Sequence, residues 1–125
     1  MPNTCIFCNP ISSEVVLDDV LVYARKDKHP VTSMHTLIIP KRHVESYFLL
    51  DHSEINAVHK ILRVMKEKIE MKDESVSAFN IGINSGADAG QSIAHLHIHL
   101  IPRRKGDVDN PQGGVRGVIP RKQHY

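Results

Sequence analysis

Three histidines alternate with aliphatic residues in the run His95-Leu96-His97-Ile98-His99-Leu100-Ile101. Along an extended strand successive side chains face opposite sides. His95, His97 and His99 therefore share one face, and Leu96, Ile98 and Leu100 the other. Alternate Cα atoms stand roughly 6.5–7 Å apart. The three rings can act together on one extended ligand, but they cannot all hold one metal ion without distortion. Neutral imidazole is a good nucleophile near pH 7, because its ordinary pKa is about 6.5. An Asp or Glu would be repelled by a phosphate, and a Ser would need a base. Just upstream, Asn84 to Ser92 reads NSGADAGQS, a loop of small residues. Its Gly90-Gln91-Ser92 end offers backbone N–H groups and a hydroxyl, the parts of an anion nest. Imidazole nucleophiles beside a phosphate cradle predict phosphoryl or nucleotidyl transfer. The plain alternative is a solvent-facing side of an amphipathic strand. Thr, Ser or Lys would serve that purpose with better strand propensity or solubility.

Both cysteines lie near the start, as Cys5-Ile6-Phe7-Cys8. In a reducing compartment this spacing suggests a metal half-site or a redox pair rather than a structural disulfide. A redox pair normally opens a helix, and Asn9-Pro10 follows at once, which speaks against it. Two thiolates alone do not fill a zinc shell.

These residues need elements to position them. Val15 to Leu17, an Asp18-Asp19 turn, and Val20 to Ala24 predict a β-hairpin. Thr36 to Ile39 is a short apolar strand stopped by Pro40. Asp51, with Glu54 three residues on, is a capping box. From it a helix runs to about Met71, with a buried stripe of Ile55, Val58, Leu62, Met65 and Ile69. Ser75 to Ile83 predicts another strand, and the histidine strand follows, closed by Pro102. The expected fold is α+β: a mostly antiparallel sheet of about five strands with one main helix packed on it. The 125 residues make a single domain, 1–125, with an irregular Gly-, Pro- and charge-rich C-terminal arm over roughly 106–125.

Net charge is +2, from 16 basic and 14 acidic residues, too balanced to demand nucleic acid or a membrane as partner. Trp is absent and aromatic residues make up 5%, which disfavours stacking platforms for single strands. No apolar run approaches the ~20 residues of a membrane span, and the N-terminus does not read as a secretory signal. A cytoplasmic protein is the expectation. Nine histidines are the compositional anomaly.

The histidine run resembles the signature of the histidine-triad (HIT) nucleotide hydrolases and transferases, His-φ-His-φ-His-φ-φ with φ apolar. The resemblance extends to MHTLIIPKRH (Met34 to His43) and to NSGADAGQS, similar to the family's phosphate loop, and runs from about Cys5 to Asp107. It implies that His97 attacks the α-phosphorus of a nucleotide and forms a nucleotidyl-histidine intermediate, from which a nucleoside monophosphate is released. His99 and His35 would hold phosphate oxygens and orient His97. Gly90, Gln91 and Ser92 would contact phosphates, with the Ser92 hydroxyl near the leaving group, and Asn84 would reach the phosphate and ribose. Asp27, eight residues before His35, stands where the family keeps a ribose-gripping carboxylate. Cys5, Cys8, His43 and His95 would bind a structural zinc ion.

The resemblance implies an adenine-type nucleotide substrate and a homodimer. A dinucleoside polyphosphate or nucleotidyl conjugate is the expected substrate. A purine nucleoside phosphoramidase is the alternative, and a non-catalytic nucleotide-binding module or a zinc-chelating structural protein lies in a different class. Arg103, Arg104 and Lys105 are either distal phosphate contacts or a solvated face. Ile6, Phe7 and Ile38 are either base contacts or ordinary core.

Overall fold

The computed structural model describes residues 4–125. Strands β1 (Val15–Asp18), β2 (Val22–Lys26) and β3 (Thr36–Pro40) precede helix α1 (His52–Lys72), and β4 (Val76–Gly82) and β5 (Ile98–Arg104) follow it. The strands form one sheet in the order β1-β2-β3-β5-β4, with every neighbouring pair antiparallel. This is the α+β arrangement expected from the sequence. The hairpin turn is closed by the Asp19 amide donating to the Val22 carbonyl.

Helix α1 starts as its capping box predicts. The Asp51 carboxylate accepts from the Glu54 amide, and the Glu54 carboxylate accepts from the Asp51 amide. Its buried face is turned from the expected one. Val58, Ile61, Met65 and Ile69 are buried, whereas Ile55 and Leu62 are half-buried at its edge. The difference is Ile61, which the expected stripe left out and which packs in the core with Val58, Met65 and Ile69. Glu54, 3% exposed, heads the same line and is held there by a bidentate Arg42.

Alternation along the strands divides the core in two. Val22, Ala24, Ile38, Leu96, Ile98 and Leu100 pack under α1. Tyr23, Leu37 and Ile39 point to the opposite side, where Phe7 from the N-terminal arm covers them. That second face carries the histidines.

Pro102 does not close the histidine strand. β5 continues to Arg104 and pairs Pro102 with Phe79 of β4. β3 stops pairing with β5 at Leu100, so on that side of Pro102 no ladder bond calls for the missing N–H. The strand also begins later than expected, at Ile98, so His95 and His97 sit in the extended approach to it. After Gly106 the chain is irregular apart from a short 3₁₀ turn at Gly114–Val118. Gly113, at φ 79°, is required there: a Cβ would lie 2.0 Å from the Gln123 carbonyl oxygen. Among the described residues no helix is long and apolar enough to cross a membrane.

Candidate active site and metal centre

The β3–β5 ladder sets Leu37 opposite His99, and His35 immediately precedes β3. Met34 adopts a left-handed φ of 70° just before it, a conformation bulky residues rarely hold. The turn delivers His35 Nε2 to 2.9 Å from His99 Nδ1. The Val31 amide donates to His35 Nδ1 at 3.1 Å, so the proton of a neutral His35 is on Nε2. Nε2–H then donates toward His99 Nδ1, with Asp27 Oδ2 at 3.3 Å beside it. His99 in turn carries its proton on Nε2. Burial pulls the pKa of His35 down, with Asp27 opposing. Burial also lowers His99, helped by His35 and His97 and opposed by Asp27. Both rings are held neutral.

His97 is fixed differently. Its Nδ1 lies 2.9 Å from the His95 carbonyl oxygen, which can only accept. Nδ1 therefore carries the proton, and Nε2 keeps the lone pair. Such an acceptor would be expected from the adjoining strand, but the chain supplies it two residues upstream, because His95 precedes the ladder and its carbonyl is not committed to β3. A cavity of about 320 Å³ opens over His97 and His99, with Asn84 and Ser92 on one side and Ile6, Leu37 and Ile93 on its apolar wall. Asp27 lines it as well. A larger cavity, about 570 Å³, opens between α1 and the sheet and is walled by Met34, Met65 and Ile69. It reaches Asp27 and His35 but neither His97 nor His99, so the smaller one is where the chemistry converges.

The loop before the histidines is braced from within. Gln91 Oε1 accepts from the Gly86 amide, and Gln91 Nε2 donates to the Glu45 and Ile93 carbonyls. The amide of Gly90, at φ 91°, donates to Ala87. Gln91 and Gly90 thus shape the loop, while Asn84 and Ser92 face the cavity. Ile38 is fully buried on the helix side and is core, not a base contact. Arg103 is held by Asp107 and Asn80, and Arg104 by Asp73 and the Ser33 carbonyl. Neither is the solvated charge nor the open phosphate contact that the sequence alone allowed.

His95 turns away to a second cluster. Its Nδ1 lies 3.4 Å from both Cys5 Sγ and Cys8 Sγ and 3.2 Å from His43 Nδ1. Cys8 Sγ to His43 Nδ1 is 3.2 Å. A tetrahedral shell with Zn–N about 2.05 Å and Zn–S about 2.3 Å sets its ligand atoms roughly 3.3–3.8 Å apart. The donor set and spacing therefore fit a zinc ion. Nε2 of His95 donates to the Pro40 carbonyl at 2.7 Å, which leaves the Nδ1 lone pair facing the sulfurs. Asp27, His35 and His99 also lie close enough together to suggest a metal site. There the Val31 amide occupies the wrong nitrogen: His35 Nε2 must be a donor, so that group is a hydrogen-bond relay.

Three features escape a reading of the sequence. Phe7 is buried against His97, with ring centroids 5.0 Å apart. The Tyr23 hydroxyl donates to the Phe7 carbonyl at 2.5 Å. Arg25, 3% exposed, pairs with Glu14. A charged residue inside the apolar run VLVYARK was the one available signal for the last.

The HIT domain family matches residues 9–106. The chain belongs to the HIT domain family. Among HIT relatives, an asymmetrical bis(5'-nucleosyl)-tetraphosphatase of Schizosaccharomyces pombe is 39% identical over 108 residues, covering 86% of this chain and 59% of that protein. An adenylylsulfatase of Arabidopsis thaliana is 33% identical over 111 residues, covering 86% of this chain and 56% of its own length. The HIT fold is likewise shared with a zinc-bound histidine triad family protein from Mycobacterium smegmatis, at a TM-score of 0.75 and 28% identity, over 83% of this chain and 78% of that one.

Proposed function

We propose that this HIT protein, working as a single domain, hydrolyses dinucleoside polyphosphates or nucleotidyl conjugates at the α-phosphorus. His97 Nε2 donates its lone pair to phosphorus as the bond to the leaving group breaks. The Ser92 hydroxyl and His99 Nε2–H stand beside the phosphate and leaving oxygens. His35 and Asp27 hold His99 in the tautomer that presents this N–H. Water then attacks the nucleotidyl-imidazole, the P–N bond breaks, and a nucleoside monophosphate departs with imidazole restored. One observation supports the reading above the rest: the His95 carbonyl fixes the proton on His97 Nδ1 at 2.9 Å and leaves Nε2 for the cavity. The named activities of the fission-yeast and Arabidopsis relatives agree with chemistry at a nucleotide phosphate.

In the same reading Cys5, Cys8, His43 and His95 hold zinc. Four protein ligands close the shell, so the ion supplies rigidity and no chemistry at phosphorus. Asn84 and Ser92 contact the phosphate and ribose region directly, and Gly90 and Gln91 act through the loop they shape. Asp27 is already engaged by His35 and the His29 amide, so it reaches a ribose hydroxyl only with its remaining acceptor capacity. An adenine-type base, a homodimer and a cytoplasmic setting complete the proposal on family resemblance.

Rapid quenching with a dinucleotide or AMP-amide, followed by mass spectrometry, tests it. The expected result is the mass of one AMP on the peptide bearing His97. Undiminished turnover by His97→Ala would overturn it. Faster cleavage of AMP-amide than of the dinucleotide would favour phosphoramidase activity, and binding without turnover would favour a non-catalytic module.

A further inference from the structure

The two cysteines enclose Ile6 and Phe7, and Phe7 points inward. It is 3% exposed. Its ring centroid lies 5.0 Å from that of His97, at 58° between planes, and 6.0 Å from that of His95, edge-on at 86°. The Arg25 guanidinium carbon stands 5.5 Å from the Phe7 centroid, and Glu14 holds that guanidinium. The Tyr23 hydroxyl pins the Phe7 carbonyl. The ring is held by the arm, by β2, by Leu37 and Ile39 of β3 and by the histidines themselves.

The His97 hydrogen bond to the His95 carbonyl fixes which nitrogen is protonated. It leaves the ring free to swing about that bond. A second contact is needed to aim Nε2, and Phe7 and His99 are the rings that provide it, the latter at 5.4 Å between centroids. Phe7 is also one residue from Cys8 and two from Cys5, so a metal ion clamping both sulfurs fixes the backbone that carries it. We propose that Phe7 is a positioning residue for His97, and that the Cys5–Cys8 metal clamp sets where it stands. The zinc ion then acts on turnover through a packed side chain while it takes no part at phosphorus. This inference rests on His97 being the nucleophile and on the four-ligand cluster holding zinc.

The consequence is a coupling between two perturbations. Misplacing a reacting group by about 1 Å lowers turnover by as much as ~100-fold. Phe7→Ala should therefore lower kcat by about 10–100-fold. Phe7 also lines the cavity over His97, so KM should rise as well, and the loss in kcat is the part that reports positioning. Removing zinc from the wild type should lower kcat by a similar factor. Both act through one ring, so stripping zinc from Phe7→Ala should add little. Independent effects would multiply.

The test is the full four-way comparison: wild type and Phe7→Ala, each zinc-loaded and chelated, with kcat and KM measured for a dinucleotide. Ring ¹H–¹⁵N correlations of His97 in ¹⁵N-histidine-labelled protein, at one fixed pH, report without turnover whether its Nδ1–H form stays fixed. Non-additive losses in kcat, a stoichiometric metal content in Phe7→Ala, and a His97 signal disturbed alike by the variant and by chelation support the proposal. Losses that multiply, or a His97 signal indifferent to both, overturn it. Chelation that unfolds the chain overturns transmission in favour of a metal needed by the fold at large. Phe7→Leu keeps the bulk and should recover most of the turnover, and it decides the matter if Phe7→Ala does not fold. A wild type that never turns over defeats the proposed function, while the ring signal still decides the role of Phe7.

Discussion

Tyr23→Phe removes one oxygen from a packed residue, and two separate consequences follow. Tyr23 is 2% exposed and donates to the Phe7 carbonyl. Without that hydroxyl the carbonyl is left buried with no donor, which costs about 1–2 kcal/mol. For a 125-residue chain the unfolding entropy is about 0.26 kcal/mol/K, so Tm at pH 7 should fall by roughly 4–8 °C. The second consequence concerns alkali. Burial is the main cause that pushes the Tyr23 phenol up to about 12, with Arg25 opposing and Cys5 and Cys8 adding slightly. The folded-state pKa lies above the ordinary value, so the unfolded chain loses the proton first. The contribution of the neutral phenol is intact below pH ~10 and disappears as pH rises through ~12, a decline of about 3 kcal/mol, of which about 2 kcal/mol is reached by pH ~11.5. Tyr23→Phe should lack that part of the decline. Urea midpoints measured between pH 7 and 11.5 on both proteins, together with a thermal melt at pH 7, check both halves. A variant with an unchanged Tm and the same alkaline decline would refute the reasoning.

Three further outcomes are expected. Leu96→Ala empties a fully buried site beneath α1 and should destabilise by about 2–5 kcal/mol in a denaturant titration. The Asp73 carboxylate is held at about 2 by the Ser75 hydroxyl first, then by Arg104 and the Ser75 amide. Its stabilisation is present above pH ~4 and is lost as pH falls through ~2, so Asp73→Asn should flatten that part of the acid titration of stability. Substituting Cys8 by Ser should abolish stoichiometric zinc, read by atomic absorption, whereas His97→Ala should retain it, because His97 is not in that ligand set.

What the sequence disclosed was periodic or local. The alternation of His95 to Leu100 sorts rings from aliphatics before any fold is known, and the Asp51–Glu54 box marks the helix start. The rest depended on partners far along the chain. Glu54 is buried because Arg42 holds it, and nothing in the helix sequence reports that pair. Gln91 looked like a phosphate contact until the Gly86, Glu45 and Ile93 backbone groups claimed its amide. Arg103 and Arg104 looked like open charge until Asp107 and Asp73 were found opposite. The four metal-cluster residues were nameable from resemblance, but which nitrogen of His95 faces the sulfurs required the Pro40 carbonyl.

That carbonyl and the one beside His97 have a joint effect. Two neighbours of identical side chain, two residues apart, present opposite nitrogens: His95 offers Nδ1 and His97 offers Nε2. The backbone thereby divides labour that composition leaves undivided. An insertion or deletion that slid the run by a single residue past Pro40 would bring aliphatic side chains to both stations, leaving the sulfurs without an imidazole and the cavity without a nucleophile.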